Sequence, residues 1–166
     1  MADTKHGFLV LADISGFTAF VTETELEHGP PIVAALLEEV IQRISPPLEI
    51  QEVEGDAVFA FGLQSALVPP DRLLGVLHAG FVGFRERREE FEADDSCSCN
   101  ACRSVGRLRL KAIGHYGTFL AQTVGPTSLD SIHARPSSSQ AISNNSPAAI
   151  CTTGTLSTAC APESGR

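Results

Sequence analysis

The sequence predicts an α+β domain, with helices on one face of an antiparallel sheet, followed by a tail without regular structure. The 166 residues suffice for one ordinary domain. Their hydrophobic patterns follow the order strand, helices, strand, strand, helix, strand, strand. The composition then changes near Gly125. That order of elements is the one that builds a ferredoxin-like sheet.

The first strand and two helices are predicted in the first 44 residues. Gly7 to Ala12 is a short apolar run that ends at Asp13, as in a buried strand that enters a turn. Apolar residues recur at helical spacing from Phe17 to Glu27, are interrupted by Gly29-Pro30-Pro31, and resume from Ile32 to Ile44. The first strand therefore brings Asp13 to an edge of the sheet.

A hairpin and a third helix follow. Leu48 to Val53 and Val58 to Phe61 are strand-like, and Glu54-Gly55-Asp56 between them predicts the turn, with Asp56 at or just past its tip. Asp71 to about Phe91 is a helical stretch after a Pro-Pro pair. Its second half carries charges of both signs, which is typical of a solvated helix face.

The last predicted elements lie after a cysteine-rich loop. Apolar residues alternate from Leu108 to His115, and a second apolar run from Phe119 to Val124 follows Gly117, so we predict another hairpin. From Pro126 to Arg166 there are no aromatic residues and four charged ones, while Ser, Thr, Pro and Ala dominate. We therefore expect a folded domain at residues 1–125 and a disordered, low-complexity tail at 126–166.

Composition excludes several classes of function. The apolar fraction is 43%, and no stretch approaches the roughly 20 apolar residues of a membrane-spanning helix. The apolar run near the N-terminus is too short for a secretory signal, so we expect a cytoplasmic protein that does not act on a membrane. A net charge of −8 opposes nonspecific attraction to a polyanion, which makes nucleic acid an unexpected partner.

Two carboxylates are the strongest candidates for chemistry. If the first strand and the first hairpin are neighbours, Asp13 and Asp56 meet at one edge of the sheet. Carboxylate and carbonyl oxygens are the ligands of Mg²⁺ or Mn²⁺ that carry a polyphosphate. By itself, Asp13 would equally fit an Asx turn or a helix cap.

The residues around both aspartates resemble a known family. Leu11-Ala12-Asp13-Ile14-Ser15-Gly16-Phe17-Thr18 resembles the first metal motif of class III adenylyl and guanylyl cyclase catalytic domains. Glu54-Gly55-Asp56-Ala57-Val58-Phe59-Ala60-Phe61-Gly62 resembles the second. The resemblance covers roughly Gly7 to Gly125. It implies a metal-dependent conversion of a nucleoside triphosphate to a cyclic mononucleotide in a homodimer.

Mapped onto this chain, the resemblance implies metal ligation by Asp13, Asp56 and the carbonyl of Ile14, and nucleotide contacts from Gly16, Phe17, Thr18 and Glu52. Glu52 occupies the position at which the family reads the base. A carboxylate there accepts hydrogen bonds from guanine, which favours GTP over ATP. A solvent-facing strand residue is the alternative for Glu52.

The chain also departs from the family pattern. The asparagine and the arginine four residues later, which stabilise the developing phosphate charge in a cyclase, are not found in register here. Losing such a group commonly costs on the order of 10²-fold in rate. Three hypotheses follow: a purine nucleotide cyclase, a catalytically degenerate nucleotide-binding or dimerisation module, and a non-functional product truncated or frameshifted near Val124.

Three cysteines form the remaining candidate site. Cys97, Cys99 and Cys102 with a fourth ligand such as His115 would make a tetrahedral zinc site. Plain reduced loop thiols are the alternative, and His28 is interpreted only as a loop residue. The cluster also resembles a bacterial branch of cyclase-like proteins without an assigned activity, so it does not specify the chemistry.

Overall fold

A computed structural model describes residues 3–69, 71–124, 129–134, 138–143 and 150–153. In chain order, the strands and α-helices of the described residues are β1 (Asp3–Ser15), α1 (Phe17–Glu23), α2 (Gly29–Ile44), β2 (Glu49–Glu54), β3 (Ala57–Leu63), α3 (Arg72–Ala93), α4 (Asn100–Ser104), β4 (Arg109–Val124), β5 (Leu129–Ala134), β6 (Ser138–Ser143) and β7 (Ile150–Thr153).

The strand β1 lies at the centre of the sheet. It pairs antiparallel with β3 on one side and with β4 on the other, and β2 completes the order β2-β3-β1-β4. This is the ferredoxin-like arrangement. The predicted fold class, an α+β domain with an antiparallel sheet, is therefore confirmed.

The helices cover one face of this sheet. Val10, Ala12 and Ile14 alternate along β1 and are buried, whereas Leu11 between them is exposed on the opposite face. The buried strand residues pack with apolar side chains of α2 and α3, such as Leu36 and Phe84, in one core. The alternation therefore determines which face of the sheet the helices cover.

Small residues allow α2 and α3 to pack closely. A Cβ atom added at Gly80 would lie 2.9 Å from the Cγ2 atom of Ile44, and one added at Gly83 would lie 2.9 Å from the Cγ atom of Arg43. Across the same contact, the Arg43 guanidinium bridges Glu39 of its own helix and Glu86 of α3 at 2.7 and 3.0 Å. The glycines permit the approach, and the exposed ion pairs lie at its edge.

Three boundaries differ from the sequence prediction. The hairpin predicted at Gly117 is wrong, because β4 continues through Gly117, which lies opposite Gly7 of the equally extended β1. Continuous backbone pairing with β1 outweighs the turn tendency of a single glycine. In addition, α2 begins at Gly29 and accommodates both prolines in its first turn, where their missing N–H groups cost nothing. The first helix ends at Glu23 rather than Glu27.

The predicted tail has more regular structure in its described parts than its composition indicated. The strands β5 and β6 both pair with the free edge of β4, and β7 pairs with β6. A long strand edge offers unpaired N–H and C=O groups to any extended segment, and this favours pairing even for Ser-rich sequences. The other residues of 126–166 lie outside the described residues, and the domain boundary at 125 stays a prediction.

None of the helices in the described part of the chain has both the length and the apolar character that crossing a bilayer requires.

A pair of glycine substitutions tests the central pairing. At the buried Gly7 of β1, an added Cβ would overlap the backbone carbonyl oxygen of Gly62 in β3. We expect Gly7→Ala to lower the free energy of unfolding by about 1–3 kcal/mol, because only a shift of a strand relieves the clash. Gly75 of α3 is exposed and has open space at Cβ. Gly75→Ala should therefore stabilise by roughly 0.5–1 kcal/mol in urea unfolding. Equal effects of the two substitutions would contradict this register.

Candidate functional site

The two predicted metal ligands lie together at the end of β1. Asp56 is in the turn between β2 and β3, and Asp13 lies opposite Ala57, the first residue of β3. The backbone joins the two motifs directly, because the N–H of Ile14 donates a hydrogen bond of 3.1 Å to the carbonyl of Asp56. The turn depends on Gly55, whose φ of +59° is unfavourable for residues with a side chain. We refer to Asp13, Ile14 and Asp56 as the acidic edge.

A lysine that sequence reasoning did not select is part of this arrangement. Lys111 of β4 lies opposite Asp13, on the other side of β1 from β3. Its Nζ atom is 2.5 Å from Oδ2 of Asp13, while 48% of the lysine side chain remains exposed. The two carboxylates of the acidic edge therefore lie beside a lysine whose ammonium group can reach solvent.

The surroundings of Asp56 disfavour its ionised form. Burial raises the pKa of the Asp56 carboxyl, and Asp13 raises it further through its charge and a hydrogen bond, whereas the Asp56 backbone N–H and the charge of Lys111 act in the opposite direction. An added cation next to Asp56 would favour the ionised carboxylate.

The other residues named by the resemblance surround the acidic edge. Gly16 has a φ of +93° and precedes α1, so that Phe17 and Thr18 begin this helix. Phe17 is half-buried, and Thr18 is exposed. Glu52 is exposed on β2 opposite Phe59, just after an irregularity in the strand pairing. Their nucleotide contacts stay predictions.

An apolar groove of about 510 Å³ lies beside the acidic edge. Phe17 from the first motif and Gly55 from the second both line it, as do Val53 of the hairpin and Val33 and Leu37 of α2. The groove thus borders both motifs.

The predicted cysteine site is brought together, but with a different histidine. Nδ1 of His28 lies 3.0 Å from Sγ of Cys99 and 3.4 Å from Sγ of Cys97. One ligand atom from each of His28, Cys97, Cys99 and Cys102 lies within 4.8 Å of every other. We call these four residues the Cys₃His cluster. His115, the example given for a fourth ligand, lies within β4 opposite Leu9 and is not one of the four.

The pKa values of the side chains in the cluster are shifted in different directions. A hydrogen bond from the backbone N–H of Cys102, together with the contact to His28, lowers the pKa of the Cys99 thiol to about 6. The same contact to Cys99 raises the pKa of His28. Burial raises the pKa of Cys102 to about 12. The contact between Cys99 and His28 therefore favours the charged forms of both groups, whereas burial favours the neutral thiol of Cys102.

Glu25 fixes the segment that carries the cysteines. Its two carboxylate oxygens accept hydrogen bonds from the backbone N–H groups of Asn100 and Ala101, at 3.0 and 3.2 Å. These groups are at the start of α4, where they have no partner within the helix. Cys97 lies in a loop as predicted, Cys99 is the N-cap of α4 and Cys102 lies within this short helix. The start of α4 is held to the α1–α2 connection by a side chain 75 residues earlier.

A comparison with protein families identifies the chain. The family described as "Protein of unknown function (DUF2652)" matches residues 33–129, which is more than half of the sequence. The chain belongs to the DUF2652 family. The matched range contains Asp56 and the three clustered cysteines, while Asp13 and His28 precede it. No curated protein matches this DUF2652 chain.

Solved structures are similar to the chain over most of its length. The adenylyl cyclase CyaB from P. aeruginosa has a TM-score of 0.66 at 18% identity and covers 82% of the chain, which spans 69% of CyaB. The guanylyl cyclase Cya2 has a TM-score of 0.61 at 13% identity, covering 82% of this chain and 66% of its own. A class III adenylyl cyclase-like ATP-binding protein from Pseudomonas aeruginosa has a TM-score of 0.57 at 18% identity, and the match covers 82% of this chain and 30% of that protein.

These similarities show the fold. The DUF2652 chain has the architecture of class III nucleotidyl cyclase domains, as the resemblance of its two motifs predicted. At 13–18% identity the comparison does not carry the activity of those proteins to this one.

Sequence reasoning missed Lys111 and His28 for different reasons. Lys111 alternates with apolar residues in β4, and only the register with β1 shows that it faces Asp13. His28 precedes the glycine and prolines that begin α2, a context typical of loops. The sequence indicated that a metal bound by the three cysteines would need a fourth ligand, but several histidines were available.

Removal of the Glu25 side chain tests how the cysteine segment is anchored. We expect Glu25→Ala to lower the Tm by about 2–4 °C, because two N–H groups at the start of α4 lose their acceptors. Differential scanning calorimetry of the full chain measures the change. Glu27→Ala is the matched control, since Glu27 is exposed two residues further on. An equal change in both variants would contradict the anchoring role.

Proposed function

We propose that the DUF2652 chain binds a nucleoside triphosphate together with Mg²⁺ or Mn²⁺ at the acidic edge. One observation carries this proposal: Asp13 and Asp56, far apart in sequence, are adjacent at the end of β1 and are joined by a backbone hydrogen bond between their motifs. The cyclase-like fold and the two motif resemblances support the same assignment.

The residues present are suited to such a metal. Two carboxylates and a nearby backbone carbonyl form a hard-oxygen donor set, which Mg²⁺ and Mn²⁺ prefer. The negative charge of Asp13 next to Asp56 favours a cation at this position. When bound, the metal supplies charge that polarises the phosphate groups. Asp13, Asp56 and the Ile14 carbonyl would hold it.

Lys111 adds a role of its own to this proposal. In the structure its ammonium group neutralises Asp13. A metal bound at Asp13 competes for the same carboxylate oxygen, and the half-exposed lysine is then available for the phosphate oxygens of the nucleotide. An ammonium group is a common phosphate ligand. Lys111 therefore couples binding of the metal to binding of the nucleotide.

The family resemblance supports further details. Glu52 would accept hydrogen bonds from guanine, which makes GTP the preferred nucleotide. A homodimer would complete the base site, since the resemblance places the active site between two protomers. Gly16, Phe17 and Thr18 would contact the phosphates. The cytoplasmic location remains the expectation from the sequence.

Binding without turnover is the second candidate function. The asparagine and arginine that stabilise the phosphate charge in a cyclase are not found in register in the sequence. One protein of similar fold is described as an ATP-binding protein that is cyclase-like, which is a precedent for a binding role. The acidic edge serves both candidates, and the two differ only in product formation.

Nucleotide binding tests the acidic edge. Titration of the full chain with GTP and with ATP in Mn²⁺, followed by calorimetry, should show binding that disappears without divalent metal. Asp13→Asn and Asp56→Asn keep the side-chain volume and should each weaken binding roughly tenfold or more, because each removes a charged ligand.

Two further variants sharpen this test. Asp71→Asn is the matched control, because Asp71 is exposed at the start of α3 and its side chain caps no N–H group. Lys111→Met should weaken binding of the triphosphate more than binding of Mn²⁺ alone. Unchanged affinity in both aspartate variants, with the fold intact by circular dichroism, would exclude the acidic edge as the nucleotide site.

Product analysis separates the two candidate functions. Incubation with Mn²⁺ and GTP or ATP, followed by chromatography, should give cyclic product at a rate on the order of 10²-fold or more below that of a complete cyclase site, because the charge-stabilising pair is missing. Product that disappears in Asp56→Asn supports the enzyme. Metal-dependent binding with no product supports the binding module.

A further inference from the structure

We propose that the Cys₃His cluster is a structural zinc site that ties the α1–α2 connection to α4 and to the segment that precedes it. The proposal does not depend on the nucleotide site, because the cluster shares no ligand with the acidic edge. It rests on four side chains of two chain segments, about 70 residues apart, that converge on one point.

The separations of the ligand atoms fit a tetrahedral zinc ion. With Zn–S distances of about 2.3 Å and Zn–N distances of about 2.0–2.1 Å, the edges of the tetrahedron are about 3.6–3.8 Å long. Here Nδ1 of His28 lies 3.0 and 3.4 Å from two of the sulfur atoms, and no pair in the cluster is more than 4.8 Å apart. Shifts of ligand side chains by up to about 1 Å would bring all these separations to the edges of the tetrahedron and admit the ion.

The types of ligand select the metal. Three thiolates and an imidazole form a soft donor set that favours Zn²⁺ over the hard cations expected at the acidic edge. Four protein ligands also complete the coordination sphere and leave no open position for a substrate. Such closed sites are structural rather than catalytic.

The surroundings of the cluster orient its ligands. The backbone N–H of Cys102 donates to Sγ of Cys99 at 3.4 Å, and Cys99 is the N-cap residue of α4. Glu25 holds the two N–H groups between these cysteines. Cys99 and Cys102 also pack against the hydrophobic core. Hydrogen bonds of this kind around the ligands are a regular part of metal sites.

The position of the cluster indicates what the ion would stabilise. His28 immediately precedes α2, and α4 contacts α1, α2 and α3. A zinc ion there would fix α1 between its two connections, one from the acidic edge through Gly16 and the other to His28. The short α1, with only Phe20 fully buried, gains an anchor at its C-terminal side that its own packing does not supply.

Metal analysis of the purified full chain tests the proposal. Mass spectrometry of metals should find about one zinc ion per chain after dialysis against buffer without metal. Reconstitution with Co²⁺ after removal of zinc should give the intense visible absorption of a tetrahedral cobalt thiolate site. Strong chelators should lower the Tm by roughly 4–8 °C, since binding to the folded state alone contributes to stability.

Substitutions assign the ligands. His28→Ala and Cys99→Ser should lose the zinc, whereas His115→Gln, the control for a histidine that is not one of the four residues, should retain it. Asp56→Asn should also retain it, so that loss of nucleotide binding and loss of zinc are distinguishable.

Two results would overturn the zinc site. One is a folded wild-type chain that contains no zinc and gives no cobalt thiolate spectrum. The other is zinc that persists in both His28→Ala and Cys99→Ser. Because the first measurement uses the unaltered chain, the test does not depend on whether a variant folds.

Discussion

The simultaneous pairing of β1 with β3 and β4 is the interaction on which the rest of this structure depends. A central strand with two backbone ladders has its register fixed on both sides. The register determines that Asp13 lies next to the turn that carries Asp56, and across from Lys111. A slip of one residue would turn Asp13 into the helix layer and Ile14 out of the core. The proposed chemistry is therefore a consequence of strand pairing.

Much of this arrangement could be predicted from residue patterns. The order of elements was readable because each strand alternates or ends in a turn residue, and because Leu36, Val40 and their neighbours repeat at helical spacing. The acidic edge followed from strand order plus two motifs. The prediction of a hairpin at Gly117 failed, because a single glycine indicates a turn unless its pairing with Gly7 on β1 is known. Lys111 needed a register that no pattern within β4 specifies.

The cysteine cluster also depends on a contact between distant parts of the chain that the sequence pattern does not specify. Spacing along the chain identified the three cysteines of the cluster because they lie within six residues of one another. The fourth member, His28, comes from a distant connection and is brought near by the packing of α4 against the first two helices. Glu25, three residues before His28, forms part of the same contact. Long-range partners of this kind follow from tertiary packing, which hydrophobic periodicity does not encode.

The ion pair between Lys111 and Asp13 bears on how the protein folds before any ligand arrives. Two adjacent acids at a strand end repel each other and weaken the pairing that holds them. The Lys111 ammonium group offsets part of that repulsion in the ligand-free chain. In the proposed site, a divalent ion would take the place of this single positive charge beside Asp13 and would release the lysine side chain toward solvent.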